Sequence, residues 1–440
     1  MLPNRLFRLF ALLLVVAGCS TQTAILTVTS PSPSMPSPVV SPSLSPKATV
    51  AESTVPSTTP QITPSQVAST PHNKSTSEAG GVQFEALKLL AGLPPDVSLS
   101  GNLVVGAQPS YLLDLAHGTQ ITLGNGVACL GTSPDRRWVS YCRSTDNSTT
   151  HVLLTVESAD GQQVKKSLIP NNWFWLGQVS WLGNQHLAFN VDKPKGDRTT
   201  NYSVGVIDPF SGGQQVIASE YPELITWTIS GVSPTTPFPY SSVVYDPSLN
   251  LVVYPQQTKD GLWYIVLWNR IAKQGLAQVE DVAGFGHLPI WSPGADQFVA
   301  VADPNGSPRD HQYHDEWYSV TRRGQVTRLT HFGDNFNMAL IDTANWSPDG
   351  TELAFWVELN PSPCKPGQNL ARLVLATLEV TDYCVYGLDY PPVRPPVWSP
   401  DDRYLIVESN QSQMLLVDTQ QNWVAPTGIS GLVEGWLAAP

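Results

Sequence analysis

NWSPDGTELAFW, at residues 345–356, is the stretch from which the fold of this chain is predicted. Its central residues, 347–350, have the composition of a tight turn, because Pro presets φ, Asp bonds its own backbone and Gly accepts a positive φ. After the turn, Leu353, Phe355 and Val357 occupy alternate positions, which is the period of a β-strand. The stretch therefore predicts a strand, a turn and a second strand.

The same hairpin recurs along the chain in graded copies. An almost complete copy lies at 397–407 and another at 290–301, and more degenerate copies are anchored at Thr132, Trp181 and Tyr245. From one anchor position to the next, the spacing is 46 to 64 residues. Such a spacing, with about four short strands in each unit, is typical of β-propeller blades.

The Trp-Ser-Pro-Asp-Gly motif at 346–350 resembles the repeat of the TolB-type, WD40-like propellers, in which the first strand of a blade ends in these residues. The resemblance covers roughly residues 99–440. It implies an all-β fold, a β-propeller of four-stranded blades. It implies little about activity, because propellers of this type serve as protein-binding modules, as gates on peptidases and occasionally as enzymes.

The number of blades depends on the two ends of the repeat region. The first unit, 102–123, contains three strand patterns and lacks an inner strand, whereas 431–437 has the apolar and Trp character of an inner strand with nothing after it. Because a propeller must cover its first and last sheet edges, the C-terminal strand is expected to complete the first unit. Seven four-stranded blades are predicted, with six as the alternative if the first unit is only an extension.

Residues 1–19 have the features of a bacterial lipoprotein signal peptide. Arg5 and Arg8 precede an apolar run, 9–16, that is too short to span a membrane. The run ends in Val-Ala-Gly-Cys, which resembles a lipobox in which Cys19 is lipidated. A lipidated Cys19 predicts a protein of the bacterial cell envelope that is anchored to a membrane outside the cytoplasm. An ordinary signal peptide is the alternative.

Two segments separate the signal from the repeats. Residues 20–80 are rich in Ser, Thr and Pro and contain few apolar side chains, which predicts a disordered linker. In 81–98, Phe84, Leu87 and Leu90 lie on one helical stripe, so a short helix is expected to lead into the propeller.

The charge distribution argues against nucleic acid as a partner. The whole chain has a net charge of −12, and residues 1–80 contribute +2, so the remainder carries −14. An acidic domain is a poor electrostatic match for nucleic acid or for an anionic membrane surface.

Four cysteines remain beside Cys19, in an exported and therefore oxidising context. Four cysteines allow three connectivities. The two local pairs are favoured, because Cys129 and Cys142 flank one hairpin turn, and Cys364 and Cys384 flank the third strand of the sixth unit. Two disulfides are therefore predicted, Cys129–Cys142 and Cys364–Cys384.

The search for catalytic motifs gives one candidate. Four of the eight histidines, His287, His311, His314 and His331, fall in the fifth unit, in predicted loops that leave the same face of a propeller. Because carboxylates lie close by in the run 310–316, this set could bind a divalent metal or perform acid–base chemistry. A solvated polar loop is the alternative, and some uronate lyases with a related propeller use a His-rich metal site.

The repeated Ser-Pro-Asp carboxylates are expected to cap turns and to have no chemical role. They are Asp135, Asp349 and Asp401.

The sequence thus favours a lipid-anchored, extracytoplasmic propeller that binds a protein or a glycan without catalysis and without a cofactor. The alternative is a metal-dependent polysaccharide lyase or hydrolase that uses a divalent metal at the histidines of the fifth unit.

Overall fold

A computed structural model of the chain describes part of it, and the chain divides into two units, 1–70 and 71–440. Every described residue belongs to the second unit, so the predicted signal peptide, Cys19 and most of the predicted linker lie outside the described residues. Within those residues, no helix has both the length and the apolar character needed to cross a membrane. The described ranges are 76–79, 81–144, 151–170, 179–191, 203–217, 244–257, 263–280, 289–303, 313–387, 394–409 and 413–439.

Short strands make up almost all of the described secondary structure. Three of them precede the blades: β1 (Thr76–Ala79), β2 (Val82–Glu85) and β3 (Lys88–Leu89). The next eleven are β4 (Asn102–Gly106), β5 (Ser110–Asp114), β6 (Gln120–Gly124), β7 (Ala128–Thr132), β8 (Trp138–Ser144), β9 (His151–Ser158), β10 (Val164–Pro170), β11 (Val179–Leu182), β12 (His186–Val191), β13 (Ser203–Ile207) and β14 (Gln214–Ile217).

The second half of the chain continues the same pattern, with one 3-10 turn at Phe332–Asp334. Its strands are β15 (Val244–Tyr245), β16 (Leu251–Gln257), β17 (Trp263–Asn269), β18 (Gln274–Glu280), β19 (Ile290–Trp291), β20 (Gln297–Ala302), β21 (Glu316–Thr321), β22 (Val326–Arg328), β23 (Met338–Trp346), β24 (Glu352–Asn360), β25 (Asn369–Val374), β26 (Glu379–Tyr386), β27 (Val397–Trp398), β28 (Tyr404–Glu408), β29 (Met414–Asp418), β30 (Trp423–Pro426) and β31 (Leu432–Leu437).

These strands form seven sheets, each built on one of the seven antiparallel four-stranded blades of a β-propeller; β1 and β2 extend one sheet, and β3 extends another. Blades two to seven each take four consecutive strands, beginning with β7, β11, β15, β19, β23 and β27. Blade one combines β4, β5 and β6 with the last strand of the chain, β31, which pairs with β4. Trp436 lies opposite Leu103 and Val433 opposite Val105. The predicted closure by the C-terminal strand and the count of seven blades are confirmed.

The Ser-Pro-Asp motif closes the first turn of each blade that contains it. In blade six the amide of Gly350 donates to the carbonyl of Ser347 at 2.9 Å, and the Ser347 hydroxyl donates to Asp349 at 2.7 Å. That hydroxyl also accepts the amide of Glu352 at 2.9 Å, which ties the turn to the next strand. The fourth position needs a positive φ, as at Arg136 (60°), Leu249 (61°), Ala295 (54°), Gly350 (74°) and Asp402 (59°).

The Trp of the motif joins one blade to the blade before it. The indole nitrogen of Trp346 donates to the carbonyl of Ile290 in blade five at 3.0 Å, and that of Trp398 donates to Asn345 in blade six at 3.2 Å. Both indoles are buried, so each hydrogen bond is shielded from water. The motif therefore carries two functions, a turn within a blade and a link between blades.

The predicted lead-in helix is absent, and strands replace it. β2 pairs in parallel with β26, the outer strand of blade six, and β3 pairs in parallel with β30, the outer strand of blade seven. The outer strands offer unpaired backbone groups, and an extended segment satisfies them where a helix would not. The apolar side chains expected on one helical stripe, Phe84, Leu87 and Leu90, enter three different clusters of the core.

The two predicted disulfides have different outcomes. Cys364 and Cys384 are bonded, with their Cα atoms 5.2 Å apart. Cys129 and Cys142 are two thiols in the structure, and a bulge after Ala128 places that residue, and not Cys129, directly opposite Cys142. Cys129 itself has a φ of 58°. Burial raises the pKa of the Cys142 thiol, and its hydrogen bond with Cys129 adds to the effect.

Candidate functional site

Blade five presents two of the candidate histidines, His314 and His331, at one edge of the propeller. This edge is called the loop face; it is where second strands end and third strands begin, as at Asp303 and His314, and it holds connections between blades, such as 329–337. The opposite edge, with turns such as 347–350, is called the turn face. His314 lies just before β21, and His331 lies in the connection between β22 and β23. Both are on the loop face, as predicted. His287 and His311 lie outside the described residues.

His314 lies where blade five contacts blade six. Its backbone amide donates to Asp303 at 2.9 Å, and it forms a parallel bridge with Ala339 of β23. The next residue, Asp315, accepts the amide of Ile341 at 2.9 Å. The imidazole is partly buried, and its Nδ1 atom has no hydrogen-bond partner among the described residues. Asp303 and Asp315 therefore hold backbone in place.

Glu316 is fully buried and organises the 3-10 turn. Its carboxylate accepts the Thr330 hydroxyl at 2.6 Å and the amides of Phe332 and Gly333 at 3.1 and 2.8 Å. Arg328 donates to the same carboxylate at 2.7 Å. With its acceptor positions occupied in this way, Glu316 serves as a structural anion rather than as a free base.

Tyr318 lies among the charged groups of the same blade. Burial raises the pKa of its hydroxyl, Arg328 opposes this, and the carboxylates of Glu316, Asp303 and Asp334 raise it further. The phenol is therefore neutral at physiological pH.

His331 differs from His314 because it faces solvent. Its Nδ1 atom lies 3.2 Å from Asp334, and both side chains are more than half exposed. Gly333 separates the two histidines: a Cβ atom there would lie 3.3 Å from the Cβ of His314. In the described part of blade five, no three histidine or carboxylate ligand atoms lie within 4.8 Å of one another. The two described histidines thus form no three-ligand cluster with the described carboxylates, and the sequence leaves open whether all four histidines converge.

The Ser-Pro-Asp carboxylates are occupied by their own turns, as the sequence predicts. They accept hydrogen bonds from the serine two residues earlier, at 2.5 Å for Asp135, 2.7 Å for Asp349 and 2.6 Å for Asp401.

Blade four contains a groove that sequence reasoning did not anticipate. It has a volume of about 380 Å³ and is lined by aromatic side chains, Tyr254 and Trp268, and by two amides, Gln256 and Gln278. Gln256 and Gln278 lie near the ends of β16 and β18 that lead to the loop face. The indole nitrogen of Trp268 is buried and has no partner among the described residues. The alternating apolar pattern of these strands resembles that of any blade, so no sequence signal identified the groove.

Blade six contains a second unanticipated cluster, in which Asp382 lies beside the disulfide. Asp382 is fully buried; its Oδ1 accepts the amide of Cys384 at 2.8 Å and lies 3.5 Å from Cys364 Sγ. Its Oδ2 is buried without a partner among the described residues. Burial raises the pKa of Asp382 to about 7, opposed by the Cys384 amide. The only hint in the sequence is that an acid stands two residues before a predicted half-cystine.

No protein-family model matches the chain, and no curated protein is similar to it in sequence. Solved structures similar to it include an oligogalacturonate lyase in complex with manganese, with 12% identity, a TM-score of 0.42 and coverage of 74% of this chain and 85% of that chain. A puromycin hydrolase has 17% identity, a TM-score of 0.41 and coverage of 71% and 48%.

The β-propeller domain of the Trilobed protease from Pyrococcus furiosus has 12% identity, a TM-score of 0.41 and coverage of 68% of this chain and 84% of that chain. Identities and TM-scores this low support no statement about activity or about a particular propeller family. The TolB-type resemblance therefore stays a prediction.

Proposed function

We propose that this protein is a non-enzymatic binding propeller of the bacterial cell envelope, anchored through Cys19, whose ligand is a glycan or a protein bound at the loop face. The groove of blade four carries the proposal and favours the glycan; it runs along the blade from Gln256 and Gln278, near the loop face, to Trp268, beside the turn at 270–273. Its volume of about 380 Å³ lies within the range of small-molecule sites, about 300–1,000 Å³.

The lining of the groove suits a ligand rich in hydroxyl groups. Trp268 and Tyr254 supply apolar surface, and Gln256 and Gln278 supply amide donors and acceptors. A buried indole N–H without a partner is costly, and a ligand hydroxyl would satisfy it. Because residues 81–440 carry a net charge of −14, a neutral glycan is favoured over an anionic one.

Calorimetric titration with a panel of neutral and acidic oligosaccharides tests the proposal. The wild type is expected to bind a neutral member, and Trp268→Ala is expected to weaken that binding at least about tenfold, which corresponds to about 1.4 kcal/mol. Ile271→Ala is the matched control, because Ile271 is an exposed apolar residue on the turn face of the same blade. Equal affinity of the Trp268 variant and the control would contradict a ligand in the groove.

The second candidate function is a metal-dependent polysaccharide lyase or hydrolase on the loop face of blade five. The unpartnered Nδ1 atom of His314 favours it, since a neutral imidazole nitrogen is a common metal ligand. The carboxylates around His314 do not support it, because Asp303, Asp315 and Glu316 are engaged in hydrogen bonds to the backbone.

Titration with Mn²⁺, Zn²⁺ and Ca²⁺ separates the two candidates. A micromolar site that is lost in a His311→Ala/His314→Ala double variant would support the enzyme. Heat that is unchanged in the double variant, or absent from the wild type, would argue against it. His117→Ala is the control, because His117 is exposed on the turn face.

A further inference from the structure

The disulfide of blade six lies where small molecules can reach it. Cys364 belongs to the connection between β24 and β25, and Cys384 belongs to β26. Both cysteines are partly exposed. The parallel pairing of β2 with β26 covers Val380 to Asp382 and stops before Cys384, so the added strand does not cover the bond.

Beside the disulfide lies a carboxyl group that is cut off from water. Asp382 pairs with Phe84 of β2 on one side and Ala371 of β25 on the other, and it is 0% exposed. One oxygen accepts the Cys384 amide and lies 3.5 Å from Cys364 Sγ, and the other oxygen has no partner among the described residues. A buried carboxyl with an unused oxygen is costly to keep, so a purely structural disulfide does not account for it.

No charged side chain on the packed elements neutralises Asp382. Glu85 and Arg372 follow the two residues that pair with Asp382, so they point to the opposite face of the sheet. Arg372 lies 3.7 Å from Glu352 there, and Asn422 donates to Glu85. Two other titratable groups nearby are buried: Tyr383 follows Asp382 and so points to the opposite face of the sheet, and Glu316 is held by Arg328 at the 3-10 turn. Exposed titratable groups on the neighbouring elements are Lys365, Glu379, His331 and Asp334.

We propose that Cys364–Cys384 is a thiol-reactive disulfide and that Asp382 is its acid–base group. A thiolate attacks Cys384 Sγ, the bond between the two cysteine sulfurs breaks, and its electron pair goes to Cys364 Sγ. The protonated Asp382 gives its proton to that sulfur, 3.5 Å away, and becomes a carboxylate. A second thiolate then attacks the mixed disulfide and releases Cys384 as a thiolate, so two thiols of the reductant are oxidised to one disulfide.

The position of Asp382 suits both directions of this exchange. With a pKa of about 7, the carboxyl is partly protonated near neutral pH and can donate to the leaving sulfur. In the reverse reaction the carboxylate takes the proton from the Cys364 thiol and so generates the attacking thiolate. The expected partner is a small thiol or a protein dithiol of the envelope.

The rate of reduction by dithiothreitol, measured from pH 5.5 to 8.5 on the full chain, tests the proposal. Samples are quenched with acid, alkylated, and read by mass spectrometry of the Cys364 and Cys384 peptides. After correction for the thiolate fraction of the reductant, Asp382→Asn is expected to react at least about tenfold more slowly than the wild type at pH 5.5. The two rates are expected to converge above pH 8. Glu379→Gln, an exposed carboxyl on the same strand, is the control and is expected to match the wild type.

A ratio between wild type and Asp382→Asn that is the same at every pH would overturn the acid–base role, because a merely structural effect does not follow the titration of one carboxyl. If the variant fails to fold, the wild-type profile alone decides the question. An inflection near pH 7 in the corrected rate supports the proposal, and a flat profile overturns it. Glutathione gives a further readout: the mixed disulfide is expected on Cys384, and its location on Cys364 would contradict the assignment of the leaving sulfur.

Discussion

At the scale of single residues, the Trp of the repeated motif stabilises the ring by a hydrogen bond between blades. Trp398 donates to Asn345, whereas Trp317 is buried to the same degree and its indole nitrogen has no partner among the described residues. Replacing either indole removes the same ring system, so the stability losses of the two variants should differ mainly by the hydrogen bond of Trp398.

Trp398→Phe is expected to lower the free energy of unfolding by about 1–3 kcal/mol more than Trp317→Phe, because it removes the donor that the partly buried Asn345 carbonyl accepts. Denaturant unfolding of the two variants gives this difference. Equal losses would show that the indole hydrogen bond contributes little to the ring.

Asp382 makes the stability of the protein depend on pH. Its pKa is about 7 when folded and 3.8 in the unfolded reference, so between these values the folded state holds a proton that the unfolded state has lost. The contribution of Asp382 to the free energy of unfolding is therefore fully present below about pH 4 and is lost as the pH rises through 7. The change amounts to on the order of 4 kcal/mol.

Asp382→Asn removes that titration. We expect the free energy of unfolding of the wild type, relative to the variant, to fall between pH 4 and pH 7. Chemical unfolding at fixed pH values provides the measurement. A difference between the two proteins that stays constant across this range would contradict the raised pKa.

At the scale of elements, β2 and β3 extend two blades by a fifth strand. β2 inserts Phe84 into the core shared by blades five and six, where it contacts Phe336 at a centroid distance of 6.4 Å. β3 leaves Leu89 exposed. The two strands are therefore expected to contribute unequally to stability.

Phe84→Ala is expected to destabilise the docking of β2 by about 3 kcal/mol, since a buried ring is replaced by a cavity. Hydrogen exchange of residues 379–386 measures this directly, because those amides lose the cover of β2. Leu89→Ala is the control and should change stability by less than about 0.5 kcal/mol. Unchanged exchange in Phe84→Ala would mean that β2 does not protect β26.

At the scale of the whole molecule, closure of the ring depends on β31. Deletion of 431–440 leaves the inner edge of β4 without a partner and removes Trp436 from the core. Exposed strand edges pair with other chains. The deletion is expected to cause aggregation, seen by light scattering and size-exclusion chromatography.

Removal of 1–70, the other unit of the chain, is the control for that truncation and should leave the protein monomeric. A monomeric C-terminal deletion with an unchanged melting temperature would contradict the importance of the closure.

Anchoring is the second prediction at this scale. Cys19→Ala is expected to abolish incorporation of labelled palmitate and to move the protein from the membrane fraction to the soluble fraction, because the acyl chains supply the membrane affinity. Ser20→Ala should behave as the wild type. A labelled, membrane-bound Cys19 variant would contradict the lipobox.

The sequence alone determined the propeller, its seven blades and the strand that closes them. The reason is that the evidence is local and repeated: the turn at 347–350 and the alternation after it need no distant partner. The orphan inner strand at 431–437 could likewise be recognised, because four of the six other inner strands have the same Trp. The role of Asp349 as a turn cap followed from the same local chemistry.

Only the tertiary structure decided the features that depend on distant partners. The lead-in at 82–89 is strand and not helix because the outer edges of β26 and β30, more than 290 residues later in the chain, supply its hydrogen bonds. Cys129 and Cys142 are thiols that share a hydrogen bond, and the bulge in β7, which sets Ala128 rather than Cys129 opposite Cys142, has no signal in the sequence. The burial of Asp382 beside a disulfide likewise arises from three strands meeting, which no pattern within one strand contains.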